Sequence, residues 1–346
     1  MNREALVGRI NKFAGKVKIM EVCGTHTAAV DGFGLRALLP EGVSLVSGPG
    51  CPACVTTAED IDRLVKLSEN AQVWTFGDMV GIPGSVSSLA EARARGAEIK
   101  IMYSPFELAE RAAQNPKKNF LLAAVGFETT VPVYASLLDT LVEKKISNVK
   151  IYTSLKTMPE AINAAAEKNA ADAFICPGHV CAVTGYGFLE RLCKKHKMPF
   201  VAAGFEDYHI LAAICEIIRQ IESNNFCVKN FYPSVVSKNG NETAQKAVDK
   251  YFCKTDAVWR GIGVIKNSGY ALRKKFFEYN ANLVYGKTSA EEKFFAGCRC
   301  AEVLMGGIRP NECGLFGGAC RPECPKGACM ASGEGACSIY YKGTVN

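Results

Sequence analysis

The chain has 346 residues and 16 cysteines, and seven of those cysteines fall between Cys298 and Cys337. Cys298, Cys313, Cys320 and Cys337 are spaced C-x14-C-x6-C-x16-C, with Cys300, Cys324 and Cys329 interspersed. Glycine and proline fill the gaps, from Gly306-Gly307 and Pro310 to Gly333 and Gly335. A segment with so little apolar periodicity cannot bury enough surface to fold alone, and a metal centre offsets the entropy of ordering it. Four thiolates suit a [4Fe-4S] cluster or an all-cysteine zinc site. Zinc ribbons carry tight C-x2-C pairs, and this tail has none, which favours iron–sulfur over zinc and over plain reduced thiols. We expect Cys298, Cys313, Cys320 and Cys337 as the ligands, with Cys300 or Cys329 as alternatives, and set Cys324 aside.

Two further thiol motifs lie in the first half. Met20-Glu21-Val22-Cys23-Gly24-Thr25-His26-Thr27 falls where a strand should end and a helix begin. A cysteine there sits near free backbone N–H groups and a positive helix terminus, which favour the thiolate. His26 is near enough in sequence to add a proton acceptor or a second charge. The plainer alternative is a buried structural cysteine beside a satisfied loop histidine. Gly48-Pro49-Gly50-Cys51-Pro52-Ala53-Cys54 is more specific. A C-P-x-C element before a capped helix has the thioredoxin arrangement, in which the first thiol is activated and the second closes a disulfide. Half a zinc site would need a second pair nearby in sequence, and none is present.

Repeated β-α units must position these groups. Apolar runs at 17–22, 72–76, 98–103, 119–125, 149–153, 172–176 and 199–203 predict strands buried on both faces of parallel sheets. Helices between them open on recognisable caps, Thr56-Thr57-Ala58-Glu59 and Ser104-Pro105-Phe106-Glu107 among them. The length predicts two Rossmann-like parallel-sheet domains, 17–116 and 117–240, facing a cleft. Gly126-Phe127-Glu128 and Gly204-Phe205-Glu206 echo one another, each after an apolar strand. Residues 242–251 read as a helix, and two short strands are expected around 261–273. The cysteine-rich part, 241–346 packed with 1–16, is expected to form a smaller iron–sulfur domain.

Three loops at strand carboxyl ends, where open parallel sheets bind ligands, carry further polar groups. They are Gly77-Asp78 with Pro83-Gly84, Gly126-Phe127-Glu128-Thr129-Thr130, and Pro177-Gly178-His179-Val180. Each alone is more often a turn or a helix cap; their shared position raises the functional reading. Candidate cofactor-contacting residues are Thr25, Thr27, Asp78, Glu128, Thr129, His179 and Glu206.

Composition narrows the setting. Hydrophobic residues are 48% and charged residues 22%, the balance of a globular protein with a core. The net charge of +7 is spread in short lysine pairs at expected helix ends, not in the basic stripe a nucleic-acid surface requires. No apolar run approaches the roughly 18 residues that span a bilayer, and the first residues lack the pattern of a secretory leader. We therefore expect a cytoplasmic protein without nucleic-acid or membrane partners, where clustered cysteines signal metal or redox chemistry.

Taken together, MEVCGTHT at 20–27, GPGCPACV at 48–55, TFGDMVGIPG at 75–84, GFETTVP at 126–132, PGHV at 177–180 and GACMASGEGAC at 327–337 strongly resemble the motifs of the HypD family, which matures [NiFe]-hydrogenases. The resemblance implies a metallocentre-assembly scaffold with redox activity, on which an iron atom acquires its cyanide and carbon monoxide ligands. It implies that Cys23 holds that iron together with a cysteine of a small HypC-type partner, and that a HypE-type partner delivers cyanide. Cys51 and Cys54 would be the redox pair, in electronic contact with the C-terminal [4Fe-4S] cluster. The chain departs from the family pattern at Asp207-Tyr208-His209, at Cys181 after PGHV, and at Ala301 after Cys298-Arg299-Cys300. The competing reading is a stand-alone iron–sulfur thiol-disulfide oxidoreductase.

Overall fold

Phe120–Gly126 (FLLAAVG) is buried at every position, as a strand covered on both faces must be. In the computed structural model, which describes residues 2–284 and 295–345, it is the fifth of eleven strands. The others are β1 (Val17–Glu21), β2 (Val43–Ser47), β3 (Gln72–Thr75), β4 (Ile99–Ile101), β6 (Val149–Leu155), β7 (Ala173–Pro177), β8 (Phe200–Ala203), β9 (Val228–Phe231), β10 (Phe252–Trp259) and β11 (Gly263–Leu272), with Phe120–Gly126 as β5. One parallel sheet has the order β2-β1-β7-β8-β9, a second β4-β3-β5-β6, and β10-β11 is an antiparallel hairpin.

Two parallel sheets were expected, but strands on both sides of residue 116 share each of them. The chain leaves the first sheet after β2, builds the whole second sheet, and returns at β7. Residues 17–116 therefore do not form one unit, because β3 pairs with β5 across the expected cut. Continuous apolar runs state that a strand is buried without stating which neighbours bury it. The end segments also distribute differently. Leu6 and Ile10 of the helix Arg3–Ile10 pack with β1 and the helix Asp207–Ser223. The helix Glu242–Tyr251 packs on Val131–Glu143, and the hairpin lies against β6, so both join the second sheet. Part of the expected third domain, 285–294, lies outside the described residues.

The carboxyl ends of the two sheets meet in one apolar cluster. Val22, Cys51 and Cys54 pack there with Val125 at the end of β5 and Phe127 just after it, Cys176 and Val180 around the end of β7, and Cys329 and Cys337 of the tail. The tail enters as two short docks, Ala328–Ala331 against Pro52–Val55 and Ala336–Val345 against Gly24–Gly32. Among the described residues no helix is long and apolar enough to cross a membrane.

Local signals fix the elements that aim the thiols. The helix Ala58–Leu67 opens on a complete capping box, with the Thr57 hydroxyl accepting from Asp60 N and the Asp60 carboxylate accepting from Thr57 N. The Asp60 carboxylate also receives the Tyr152 and Ser154 hydroxyls of β6 at 2.7 and 2.8 Å, joining the cap to the second sheet. Thr57→Ala is expected to lower stability by about 1 kcal/mol, read as a lower urea midpoint with an unchanged slope.

Candidate metal and thiol site

Cys23 follows β1 directly and is the N-cap of Gly24–Gly32. Its neighbours are held by a carboxylate in an otherwise apolar strand. Glu21 is fully buried and lies opposite Ser47 in the ladder. It accepts from Cys23 N at 3.2 Å and from the Thr27 hydroxyl. Burial pushes its pKa up to about 7, against the pull of the Thr27 and Ser47 hydroxyls. Sequence reasoning did not nominate Glu21, although an acid inside a run buried on both faces is the signal that marks it.

Cys23 makes no side-chain capping hydrogen bond to the helix it opens. Burial pushes its free thiol up to about 12, against the pull of the nearby Thr25 and His26 groups. The ring of His26 points elsewhere. Its Nε2 donates to the carbonyl of Gly204 at 3.0 Å, and burial lowers its pKa to about 4, so it is a neutral packing group. Beside the thiol stands His179 instead, with Nε2 3.6 Å from Cys23 Sγ. His179 begins the helix after β7, and its ring stacks on Phe205, which also lies against His26.

The loop bearing Cys51 lies directly on the Cys23 loop. Gly24 N donates to Gly50 O at 3.3 Å, and a Cβ on Gly50 would fall 2.2 Å from Cys23 N. Cys51 and Cys54 form a disulfide across one turn of helix. Both are buried, and the pair faces the tail: Cys51 Sγ lies 3.4 Å from the Ser332 hydroxyl, Cys54 Sγ 4.0 Å from Ala328 O.

The tail gathers its thiols. Cys300, Cys329 and Cys337 hold their sulfurs within 4.8 Å of one another, and Cys298 Sγ is 3.4 Å from Cys300 Sγ. Cys298, Cys300, Cys313, Cys320 and Cys337 line one small cavity with Val303, Leu315, Phe316 and Met330. The close Cys300 and Cys329 thiols pull the Cys337 thiol down. Gly327 completes the cradle, since a Cβ there would stand 2.4 Å from Cys300 Sγ and 2.6 Å from Cys298 Sγ. A donor set made only of soft thiols, with one already inclined to ionise, fits a metal centre. Cys324 is exposed and pairs with Lys326 Nζ.

The remaining candidates divide. Asp78, after β3, faces the tail loop, with its carboxylate 3.8 Å from the Cβ position of Gly333. It adjoins Glu334, whose carboxyl is pushed up by burial and by the Asp78 charge. The Glu334 carbonyl lies 2.7 Å from the Cβ position of Gly24. Thr25 is exposed at the Cys23 helix start, Thr27 is buried on Glu21, and Thr129 is half-buried on the turn after β5. Glu206 is exposed and makes no capping bond. Glu334 and Ser332 were not singled out from sequence.

A family model described as the hydrogenase formation hypA family, HypD, matches residues 2–344. A hydrogenase expression/formation protein of Methanocaldococcus jannaschii is 40% identical, over 97% of this chain and 95% of its own. The hydrogenase maturation factor HypD of Escherichia coli is 37% identical, over 94% of this chain and 89% of its own. That of Rhodobacter capsulatus is 35% identical over 94% and 89%. The chain belongs to the HypD family.

In this HypD-family hydrogenase maturation factor, Cys181, Ala301 and His209 are packing groups. Cys181 is fully buried, and burial with the nearby Glu128 charge pushes its thiol up to about 12. Ala301 packs its Cβ against Gly261, and His209 lies against Tyr208 and meets Tyr232 edge-on. The HypD-family Glu128 is buried as a helix cap, accepting from Met158 N at 3.1 and 3.2 Å. Burial raises its pKa despite the Lys254 charge. A carboxyl raised on folding binds more protons in the native state, so its contribution is full below the unfolded pKa and lost as pH rises through the folded one. Glu128→Gln is therefore expected to flatten the decline in urea midpoint between mildly acidic and neutral pH.

Proposed function

We propose that this protein is the scaffold on which the Fe(CN)2CO unit of a [NiFe]-hydrogenase is assembled. Cys23 holds the cargo iron together with a thiolate from a HypC-type partner, and a HypE-type partner supplies cyanide, all in the cytoplasm. Cys51 and Cys54 exchange electrons with a [4Fe-4S] cluster held by Cys298, Cys313, Cys320 and Cys337, with Cys300 or Cys329 as alternative ligands. One observation carries this reading: the three sulfur groups form a contiguous series. The Cys23 loop is hydrogen-bonded to the Cys51 loop, and the disulfide touches the segment that bears Cys329.

The chemistry follows from the placement. A soft thiolate suits a low-spin iron with strong-field carbon ligands. His179 Nε2, 3.6 Å from the Cys23 sulfur, is within reach of the proton that thiol must release to bind a metal. Cys23 is 3% exposed, so bulk water has little access to its sulfur. When bound, the cluster supplies single electrons, and the dithiol stores two of them with its protons. Asp78 and Glu334 border the Cys23 helix start, where cargo and partner must approach.

Air-free co-purification with a HypC-type partner, followed by infrared spectroscopy, tests the proposal. Bands of iron-bound cyanide and carbonyl are expected on the complex. Their absence, or steady thiol-disulfide turnover on a small molecule with no partner, would replace the scaffold with a stand-alone oxidoreductase.

A further inference from the structure

We infer that Ser332 is a positioning residue that sets the reduction potential of the Cys51–Cys54 pair and makes Cys51 the thiolate of its reduced form. The inference rests on the redox role proposed above for that pair. Ser332 is 1% exposed, so its hydroxyl must be satisfied inside the protein. Its oxygen accepts from Glu334 N at 3.3 Å, and its backbone N–H is spent on Ala328 O at 3.0 Å. Its hydroxyl proton is left to point at Cys51 Sγ, 3.4 Å away. The same sulfur lies 3.1 Å from Cys54 N. Two donors thus converge on Cys51. Cys54 Sγ is fully buried, and its near polar neighbour is an acceptor, Ala328 O at 4.0 Å.

That asymmetry assigns the products of reduction. Two electrons break the S–S bond. Cys51 departs as a thiolate held by the Ser332 hydroxyl and Cys54 N–H, and Cys54 takes one proton and directs its S–H to Ala328 O. With a dithiol reductant, the reductant's two sulfurs supply the electrons, close their own disulfide and release two protons, one of which goes to Cys54. Donation to an ionised acceptor is stronger than donation to a neutral disulfide sulfur, so the hydroxyl favours the reduced state. Ser332 and Ala328 both sit in the stretch between Gly327 and Gly335 that carries Cys329. The tail that gathers the metal-binding thiols therefore also tunes the dithiol.

Equilibration of the full-length, cluster-loaded protein with dithiothreitol buffers, read by thiol alkylation and mass spectrometry, tests this. Ser332→Ala is expected to shift the equilibrium about tenfold toward the disulfide, a potential about 30 mV more negative. In the reduced wild type, Cys51 is alkylated before Cys54, and that order weakens in the variant. Ser332→Thr and Ser332→Val differ only in the hydroxyl, so the pair isolates the hydrogen bond if alanine disturbs packing. A potential in Val displaced from Thr supports the inference. Equal potentials for Thr and Val, or for alanine and wild type, overturn it. A wild-type pair that never exchanges with the buffer would instead remove the redox role itself.

Discussion

Cys23→Ala is expected to eliminate the infrared bands of iron-bound cyanide and carbonyl and to lower hydrogenase maturation by more than about a hundredfold, beyond the 10- to 100-fold typical of losing a group that merely supports a ligand. The substitution removes one sulfur and little else. Cys23 N and O keep their bonds to Glu21 and Thr27, and Gly24 N keeps its bond to Gly50 O, so the loop retains its course. The His179 ring, whose Nε2 lay 3.6 Å from the sulfur, is left facing a methyl group. Circular dichroism and cluster absorbance are expected to match the wild type while the bands are gone. Bands that persist in the variant would move the iron to another residue.

Gly327→Ala is expected to strip the cluster, taking bound iron from about four atoms per chain to a small fraction of that. A methyl group there would sit inside contact distance of two sulfurs at once, 2.4 Å from Cys300 and 2.6 Å from Cys298. Relief of one clash by rotating a thiol away removes a donor from the site. Without the centre the tail keeps its docked helices, Ala328–Ala331 and Ala336–Val345, but loses the bonds that tie its loops together, and limited proteolysis should cut between 298 and 337 faster than in the wild type. Cys324→Ala is the matched control, because that thiol is exposed and, among the described residues, bonds a lysine ammonium. Iron content should be unchanged there. Full iron loading in Gly327→Ala would show that the cradle opens more easily than the backbone positions indicate.

Strands whose neighbours cover both faces were legible from sequence, as β5 and β7 illustrate, because every side chain in them had to be apolar. β2 and β9 were missed for the complementary reason. Val43–Ser47 alternates buried and half-buried positions, and Val228–Phe231 is only partly covered at the far edge of the same sheet. The hairpin was expected around 261–273, yet it begins at Phe252, directly after the helix, where no turn residue separates the two. The echo of Gly-Phe-Glu proved positional: one copy ends β5 of the second sheet, the other follows β8 of the first. Their glutamates still differ, Glu128 capping a helix from inside and Glu206 standing in solvent. At the site, the thiols were legible because their chemistry is rare and their spacing distinctive. The partnership of Cys23 with His179, and of Cys51 with Ser332, was not, because 156 residues separate the first pair and 281 the second.

The disulfide occupies the stretch between β2 and the helix Ala58–Leu67, where the chain passes from the first sheet to the second. Mechanically, that stretch is a tether, and a ring closed within it shortens the distance it can reach. In the folded protein the helix Pro52–Val55 already holds the two cysteines one turn apart, so the ring restrains chiefly the unfolded chain.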